Sequence, residues 1–270
     1  MKKKTFFNWV KFIIIIYCII GIAIYYLQDK LIFHPAKLAA DYKYQLPVKY
    51  DEIYIPINKT DTVHILKLIP EGKATGAVLY FHGNSGNNSL YYNNTVKLFL
   101  KNNLEVWIPD YPGFGKTTGN ISEDKIKEQA IQVERLASSA FAPHKVIFYG
   151  QSLGTGVASY LASETACRFL ILETPYADIP SLFDRYAFMY PTKSIVQYKF
   201  PTIDYLKNIT EPIIIFHGTN DKTIPLKEAL KLKSVLKPMD KFYILEGSDH
   251  NNINQSPQFL NAVDSLLHSS

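Results

Sequence analysis

A serine-containing turn between a predicted strand and a predicted helix constrains the fold of this chain more than any other segment. The turn reads GQSLG at residues 150–154, directly after the apolar run 146–149 and directly before the small-residue segment 155–162. Glycine at both flanking positions lets strand and helix approach closely, and the sharp turn strains the serine backbone. We therefore expect Ser152 to stand clear at the tip of a buried strand. The N–H of Leu153, at the start of the helix, would point into the same space and stabilise developing negative charge.

A serine nucleophile needs a general base, and that base needs an acid that orients it. In an architecture of strand, serine turn and helix, the three follow the chain order serine, acid, histidine. Asp221 lies in the loop after the apolar run 212–218, and His250 lies in the loop after the run 242–245. Both positions are just past the carboxyl end of a predicted strand, where open α/β sheets carry their functional groups. The spacing thus predicts a triad with Ser152.

Other residues near strand ends offer alternatives to this triad. Glu173 follows another apolar run and is the second candidate for the acid, while Asp221 also fits the simpler role of capping the next helix or turn. His250 also fits a solvated loop histidine. His82 and His217 lie near strand ends too, but each precedes a glycine, which favours a role in a turn or in packing.

A glycine-rich turn after the apolar run 77–81 is the predicted source of a second backbone donor. It reads HGNSGN at residues 82–87 and can turn the N–H of Asn84 toward the serine. Together with Leu153, this amide would form an oxyanion hole. Fixed donors of this kind stabilise the transition state because they need no reorganisation as charge develops. An ordinary strand-to-helix turn is the alternative interpretation.

Six motifs in this order resemble those of the α/β-hydrolases, and in particular the membrane-anchored Bem46/ABHD12/13/17-like branch. They are QDKLIFHP at 28–35, FHGNSGN at 81–87, DYPGFG at 110–115, GQSLG at 150–154, FHGTND at 216–221 and SDHN at 248–251. The resemblance spans nearly the whole chain. It implies an α/β-hydrolase fold in which Ser152 is the nucleophile, Asp221 the acid and His250 the base. Two departures from the family pattern, at residues 112 and 116–117, are expected to alter the rim of the pocket.

Strand-like and helix-like patterns alternate along the chain from residue 77 onward, and the predicted helices include one near residues 88–101 and one at about 226–236. This alternation predicts an α/β fold, a mostly parallel twisted sheet with helices on both faces. Before it, residues 52–57 and 62–69 alternate polar and apolar side chains and predict an antiparallel hairpin that begins the sheet. We divide the chain into an N-terminal membrane anchor with its juxtamembrane segment, residues 1–30, and an α/β-hydrolase domain, residues 31–270.

Residues 174–210 interrupt this alternation and are rich in tyrosine, phenylalanine and proline. Their place between two predicted strands is where such enzymes insert a cap over the serine, so we call this segment the cap insert. Its rings are expected to line an apolar groove for an acyl chain, with Tyr176, Tyr186 and Phe188 as candidate lining residues. The alternative is that the rings pack the cap insert against the body of the domain.

The N-terminal segment predicts the location of the protein. Residues 6–27 carry a single charge, Lys11, and about 20 apolar residues suffice for a helix to cross a bilayer. Three further lysines precede this run, and positive charge before a span keeps its start on the cytoplasmic side. The sequence therefore predicts a single-pass membrane protein with a cytoplasmic N-terminus and an extracytoplasmic hydrolase domain. A cleavable signal peptide is the alternative.

Charge and cysteine content exclude several classes of function. The net charge of +5 owes four units to the lysines of residues 2–11, so the rest of the chain is near neutral and offers no basic face for nucleic acid. The two cysteines lie in the apolar N-terminal run and in the domain, so a structural disulfide is not expected. No histidine or cysteine cluster has metal-ligand spacing, and we expect no metal and no cofactor.

These features predict a serine hydrolase that cleaves carboxylic ester or thioester bonds, of lipid-like or acylated substrates, through an acyl-enzyme intermediate. The predicted partners are a small-molecule or lipid-like acyl substrate and the membrane. A serine peptidase or amidase of the same fold is one alternative, with Arg185 and Lys193 as candidate anchors for a peptide terminus. A catalytically silent, membrane-tethered binding protein is the other, because a fold alone does not set function.

Overall fold

One large sheet organises the domain in the computed structural model, which describes residues 2–268, with side chains from residue 6. In chain order the strands are β1 (His34–Pro35), β2 (Tyr50–Pro56), β3 (Thr62–Leu68), β4 (Gly76–Phe81), β5 (Ser85–Gly86), β6 (Leu104–Pro109), β7 (Val146–Gln151), β8 (Phe169–Glu173), β9 (Ile213–Gly218) and β10 (Lys241–Leu245). The short strands β1 and β5 pair with each other, and the other eight form the large sheet.

The large sheet has the spatial order β10-β9-β8-β7-β4-β6-β3-β2. Strand β3 runs antiparallel to both β2 and β6, and the other neighbouring pairs are parallel. The predicted sheet and its opening hairpin are therefore confirmed, with Ile53 opposite Ile65 in the hairpin. Strands β4, β8 and β9 are buried at every position, as expected for parallel strands that helices cover on both faces.

Helices cover both faces of this sheet. In chain order the α-helices are α1 (Lys2–Ile32), α2 (Asn94–Lys101), α3 (Glu123–Ala140), α4 (Leu153–Glu164), α5 (Ile179–Ala187), α6 (Thr192–Ile195), α7 (Thr202–Leu206), α8 (Leu226–Leu230) and α9 (Pro257–His268). Helices α3, α4 and α7 pack together, as do α2 and α9. The side chains form two apolar cores, one on each side of the sheet.

Two helices are shorter than the sequence predicts. Residues 88–101, expected as one helix, form a 3₁₀ turn at Asn88–Leu90 and then α2. The Asn93 side chain accepts a hydrogen bond from Val96 N at 3.1 Å and caps α2, so the helix begins there. The helix predicted at 226–236 is α-helical only through α8 and continues as a 3₁₀ helix.

The aromatic side chains of the cap insert fall into two groups. Tyr176, Tyr198 and Phe200 are only 1%, 4% and 0% exposed, so these rings pack the cap insert against the body. Tyr186 and Phe188 are instead 76% and 80% exposed. The prediction that Tyr176 lines a groove is wrong, because this ring is buried under α4 and its hydroxyl donates to the Leu153 carbonyl at 3.3 Å.

Helix α1 continues the apolar N-terminal run without a break. Residues Phe6–Ile32 are long and apolar enough to cross a membrane, and among the described helices α1 alone has this property. The carboxyl end of α1 joins the domain core, where Ile32 and Phe33 are buried. The helix is therefore a candidate membrane anchor. The lysine side chains at residues 2–4, on which the predicted orientation depends, lie outside the described part, as do residues 1, 269 and 270.

Candidate active site

Ser152 lies in a strained turn between β7 and α4. Its φ of 52° and ψ of −117° fall in a region that residues with a side chain rarely adopt. Two glycines make the turn possible. A Cβ added to Gly154 would lie 2.0 Å from the Phe81 carbonyl oxygen at the end of β4, and a Cβ added to Gly150 would lie 2.4 Å from the Gly154 carbonyl oxygen. The close approach of strand and helix therefore requires glycine at both positions.

The structure brings Ser152, His250 and Asp221 together from three separate loops. Ser152 Oγ lies 3.0 Å from His250 Nε2, and His250 Nδ1 lies 2.7 Å from Asp221 Oδ2. Because a carboxylate can only accept hydrogen bonds, Nδ1 carries the hydrogen of a neutral imidazole, and Nε2 is left to accept the serine proton. The arrangement can therefore take a proton from the serine hydroxyl.

Asp221 makes the contacts of both roles that its sequence position allows. Its Oδ1 accepts hydrogen bonds from Thr223 N at 2.9 Å and from Ile224 N at 2.8 Å, which is the contact of a turn-capping residue. Its Oδ2 faces His250. Since the two oxygens have separate partners, the loop backbone fixes the direction in which Asp221 holds the imidazole.

His217 lies behind Asp221 in the core. Its Nε2 is 2.8 Å from the Ile224 carbonyl oxygen and 3.5 Å from Asp221 Oδ2. A carbonyl can only accept, so Nε2 carries the hydrogen, and burial lowers the pKa of this imidazole and favours the neutral form. His217 therefore packs inside the fold and holds the Asp221 loop. His217 and Asp221 are four residues apart in the motif FHGTND, and this spacing is the sequence signal that could have revealed their contact.

Glu173, the second candidate acid, lies at the end of β8 with partners other than His250. Its carboxyl group accepts from the Tyr149 hydroxyl and from Gln151 Nε2 at 3.3 Å. Tyr80 in turn donates its hydroxyl to Gln151 Oε1 at 2.9 Å. Burial raises the pKa of Glu173 to about 7. This buried polar network under the serine turn was not predicted, because it joins residues of three strands.

Of the two backbone donors predicted for the oxyanion hole, Leu153 directly follows Ser152, and Asn84 lies in the turn that approaches Ser152. Leu153 begins α4, and Gly83, directly before Asn84, is so close that an added Cβ would lie 3.7 Å from Ser152 Cβ. Within residues 2–268, the N–H groups of Leu153 and Asn84 do not donate to a protein acceptor. Their positions are compatible with the predicted hole.

The end of α1 holds Asn84 from the opposite side. His34 N donates to the Asn84 carbonyl oxygen at 2.8 Å, and Asn84 Nδ2 donates to the Ile32 carbonyl oxygen at 2.5 Å. Strand β1 then pairs with β5 just beyond Asn84. The motif QDKLIFHP therefore joins the candidate membrane anchor directly to the candidate oxyanion turn.

A buried charged cluster supports the same turn. His82 Nδ1 is 2.7 Å from the Gly83 carbonyl oxygen, and His82 Nε2 is 3.3 Å from Asp110 Oδ1. The same Asp110 oxygen accepts from Asn88 N at 2.8 Å. Burial opposes ionisation of Asp110, but its interactions with His64 and His82 outweigh burial and lower its pKa. The cluster thus fixes both ends of the turn with a charged group.

The residues that depart from the family pattern are largely buried in the domain. Lys116 Nζ is 2.5 Å from Glu52 Oε2 and 2.7 Å from the Tyr42 carbonyl oxygen. Pro112, four residues earlier in the chain, is buried too. Thr117 Oγ1 accepts from the backbone N of residue 64 and is also buried. Lys116 and Thr117 therefore have structural partners, and an effect of the departures on the pocket rim stays a prediction.

Several side chains of the types that bind metals, such as His64 and Glu52, contact each other. Within the described residues, no group of three or more histidine, cysteine, aspartate or glutamate side chains has an arrangement that could hold a metal ion. His64, for example, contacts Glu52 at 3.1 Å and Asn88 at 3.2 Å.

The cap insert meets the loop of the candidate acid. Arg185 donates from Nη1 to the Lys222 carbonyl oxygen at 2.9 Å, and Lys222 directly follows Asp221. Tyr186 and Phe188 follow Arg185 and are exposed, so their role in a substrate groove stays a prediction.

Comparison with solved structures and family models agrees with this fold. A model described as the alpha/beta hydrolase fold matches residues 76–194. An esterase from Pyrococcus furiosus superposes with a TM-score of 0.67 and 15% sequence identity, covering 87% of this chain and 97% of the esterase chain. At this identity the likeness concerns the fold alone.

Other relatives are more similar in sequence. Alpha/beta hydrolase domain-containing protein 17B of Xenopus laevis is 30% identical over 208 residues, which make up 75% of this chain and 69% of the relative. The human protein of the same name is 30% identical over 204 residues, or 73% of this chain and 67% of the relative. The chain therefore belongs to the α/β-hydrolase family, in the branch of alpha/beta hydrolase domain-containing protein 17.

Proposed function

We propose that this protein is a serine hydrolase that cleaves carboxylic ester or thioester bonds of lipid-like or acylated substrates. One observation carries the proposal: Ser152 Oγ is 3.0 Å from His250 Nε2, and His250 Nδ1 is 2.7 Å from Asp221 Oδ2. A serine next to a neutral imidazole that a carboxylate orients is the arrangement that activates a hydroxyl for acyl transfer.

The reaction proceeds through an acyl-enzyme. Ser152 Oγ attacks the substrate carbonyl carbon while its proton passes to His250 Nε2, and Asp221 stabilises the imidazolium. The tetrahedral intermediate collapses when the alcohol or thiol leaves with the proton from His250. Water then repeats the sequence: His250 takes a proton from water, the hydroxide attacks the acyl carbon, and the carboxylic acid leaves as Ser152 regains its proton.

The oxyanion of both tetrahedral intermediates is bound by the N–H groups of Leu153 and Asn84. The positive end of α4 supports the first of these donors. The turn that carries the second is fixed by α1 on one side and by the His82–Asp110 cluster on the other. Donors that are held in place before the reaction stabilise the developing charge without reorganisation.

The substrate class follows from the location of the site. With α1 in a bilayer, the lysines before its apolar run keep the N-terminus cytoplasmic, and the hydrolase domain lies on the extracytoplasmic side. A domain held at a membrane surface meets acyl chains at high local concentration. A lipid ester or an acylated molecule therefore suits this site better than a freely soluble substrate.

Replacement of the nucleophile tests the proposal. In Ser152→Ala we expect the loss of fluorophosphonate labelling and a fall in kcat of about 10⁶-fold, the size of the nucleophile effect in subtilisin. The matched control is Ser163→Ala in α4, the helix that follows the serine turn. Its hydroxyl donates to the Tyr160 carbonyl oxygen at 2.7 Å, and its loss should leave kcat unchanged. Labelling that persists in Ser152→Ala would contradict the proposal.

A substrate series tests the bond and the acyl class in the same preparation. We expect p-nitrophenyl esters and thioesters of long acyl chains to be cleaved with a higher kcat/KM than acetyl esters or aminoacyl amides. A preference for aminoacyl amides would instead favour a peptidase of this fold.

A further inference from the structure

Helix α1 lies against the tip of the cap insert instead of standing free. The ring of Tyr17 stacks on that of Tyr190, with a centroid distance of 4.4 Å and an interplanar angle of 6°. Each hydroxyl donates to backbone across this contact: Tyr17 Oη to the Met189 carbonyl oxygen at 2.9 Å, and Tyr190 Oη to the Tyr17 carbonyl oxygen at 3.0 Å. Gly21, one turn further along α1, faces the same ring. These contacts fix α1 to the cap insert near its midpoint.

A second contact fixes α1 to the cap insert near its carboxyl end. Gln28 is 1% exposed, and its Oε1 accepts from Gln197 N at 2.6 Å. Its Nε2 lies 3.5 Å from the Ile195 carbonyl oxygen. Tyr17 and Gln28 are 11 positions apart, which corresponds to about 16 Å of helix. This half of α1 therefore runs along the cap insert and cannot enter a membrane alone.

The other half of α1 is too short to cross a bilayer. The apolar residues beyond the first contact, 6–16, also span about 16 Å, whereas the hydrocarbon core is about 30 Å thick. Tilting α1 shortens its reach across the bilayer further. A membrane-spanning α1 must therefore place part of residues 17–27 in the hydrocarbon, and with them Met189 and Tyr190.

The surface beside this contact is suited to lipid. We define the cap tip as residues 186–190, in which Tyr186, Phe188 and Met189 are 76%, 80% and 66% exposed. Three large, mainly apolar side chains exposed within four consecutive residues indicate an interaction surface, and burying them is favourable by about 25 cal/mol per Å² of apolar area. The cap tip adjoins α1 through the contacts of Met189 and Tyr190 with Tyr17. The exposed cations Arg185 and Lys193 flank the cap tip in the sequence.

We propose that the cap tip, together with the adjoining half of α1, is a membrane-insertion surface that enters the acyl-chain region of the leaflet next to the hydrolase domain. Arg185 and Lys193 then lie toward the headgroups, where long cationic side chains can reach phosphate. Because Arg185 also bonds the residue after Asp221, insertion of the cap tip holds the triad close to the lipid surface. The inference rests on the proposed position of α1 in a bilayer.

Fluorescence quenching by brominated lipids tests the insertion. The chain has two tryptophans, Trp9 on the free half of α1 and Trp107, which is buried. The full chain carrying Trp9→Phe and Phe188→Trp is reconstituted in phosphatidylcholine and phosphatidylglycerol vesicles whose acyl chains carry bromine. We expect its emission to be lower than in unbrominated vesicles, and the fall to exceed that of Trp9→Phe alone, because bromine quenches a tryptophan that lies among the acyl chains.

The control places a tryptophan on a distant exposed apolar residue. Met239 is 58% exposed and precedes β10, so it lies at the edge of the sheet opposite to the triad. Trp9→Phe with Met239→Trp should show no more quenching than Trp9→Phe alone. Both substituted side chains are largely exposed, so neither variant should lose its fold, which circular dichroism checks.

Two further measurements distinguish failure of the membrane-insertion surface from failure of the anchor or of the proposed activity: quenching of Trp9 in the wild-type chain and fluorophosphonate labelling of Ser152. If Trp9 is quenched but the tryptophan of Phe188→Trp is quenched no more than that of Met239→Trp, the membrane-insertion surface is overturned and the anchor stands. If Trp9 is not quenched either, both are overturned. Neither result depends on hydrolase activity, which the fluorophosphonate label at Ser152 reports separately.

Discussion

Two carboxyl groups at the ends of neighbouring strands have opposite surroundings in this protein. Asp221 accepts from two backbone amides and faces His250, and these partners suit a carboxylate. Glu173 has the Tyr149 hydroxyl and a side-chain amide as partners and is completely buried. The surroundings therefore separate an acid that orients the histidine from one that holds a proton near neutral pH.

The buried proton on Glu173 makes stability depend on pH. Its pKa rises from 4.5 in the unfolded reference to about 7 in the fold, so the folded state binds this proton more tightly. The free energy of unfolding then falls as pH rises from about 4.5 to about 7, by about 3 kcal/mol, and is level above that range. Glu173→Gln removes this dependence, so between pH 5 and pH 8 the variant should gain about 3 kcal/mol relative to wild type.

Urea unfolding in micelles at a series of pH values measures this gain. Glu246→Gln, at an exposed carboxyl, is the matched control and should follow the wild-type curve. If Glu173→Gln also runs parallel to wild type across the whole range, the carboxyl at 173 is not protonated in the fold.

At the scale of elements, the serine turn depends on how closely α4 packs on the end of β4. In Gly154→Ala the new Cβ would lie 2.0 Å from the Phe81 carbonyl oxygen, so α4 must move away from β4 and carry Leu153 with it. Overpacking of this kind costs about 3 kcal/mol, and the melting temperature should fall by about 6–12 °C. Differential scanning fluorimetry measures this shift.

Gly83→Ala is the matched control on the neighbouring turn. The nearest atoms to its added Cβ are the Tyr91 hydroxyl at 3.4 Å and Ser152 Cβ at 3.7 Å, which are ordinary contact distances. Its melting temperature should stay close to that of wild type. If the melting temperature fell equally in both variants, the close approach of α4 to β4 would not be the reason that residue 154 must be glycine.

The elements that the sequence predicted well are those with a local signal. Alternation and apolar runs gave the hairpin and the parallel strands, and the strand ends with chain order gave the three residues that meet at the serine turn. Helix α9 was missed, although Phe259 and Val263 have helical spacing, because no cap or motif drew attention to it. The stacking of Tyr17 on Tyr190 has no local signal at all, since it joins a lipid-like helix to a loop far along the chain.

At the scale of the whole molecule, α1 connects three regions that are far apart in the sequence: the apolar N-terminal run, the cap insert and the candidate oxyanion turn. Its first half is free and apolar, its second half packs along the cap insert, and its end bonds Asn84 in the candidate oxyanion turn. The candidate anchor, the cap insert and the candidate active site are thus parts of one packed unit. A displacement of α1 would act on the cap insert through the contacts of Tyr17 and Gln28.

The Gln28 contact offers a direct test of this unit. Gln28→Leu removes the acceptor of Gln197 N–H, and an unpaired backbone donor at a packed interface costs about 1–3 kcal/mol. Local opening at residues 195–198 should then become easier, so hydrogen exchange of the Gln197 amide should speed up by about tenfold or more.

Hydrogen exchange of the full chain in vesicles, read by mass spectrometry, measures this change. The sheet strands should keep their protection, because their hydrogen bonds do not involve α1. Gln258→Leu, on the exposed surface of α9, is the matched control and should leave exchange at 195–198 as in wild type. Unchanged exchange at these residues in Gln28→Leu would mean that α1 does not hold the cap insert. The proposed membrane-insertion surface would then be held to α1 by the Tyr17 contact alone.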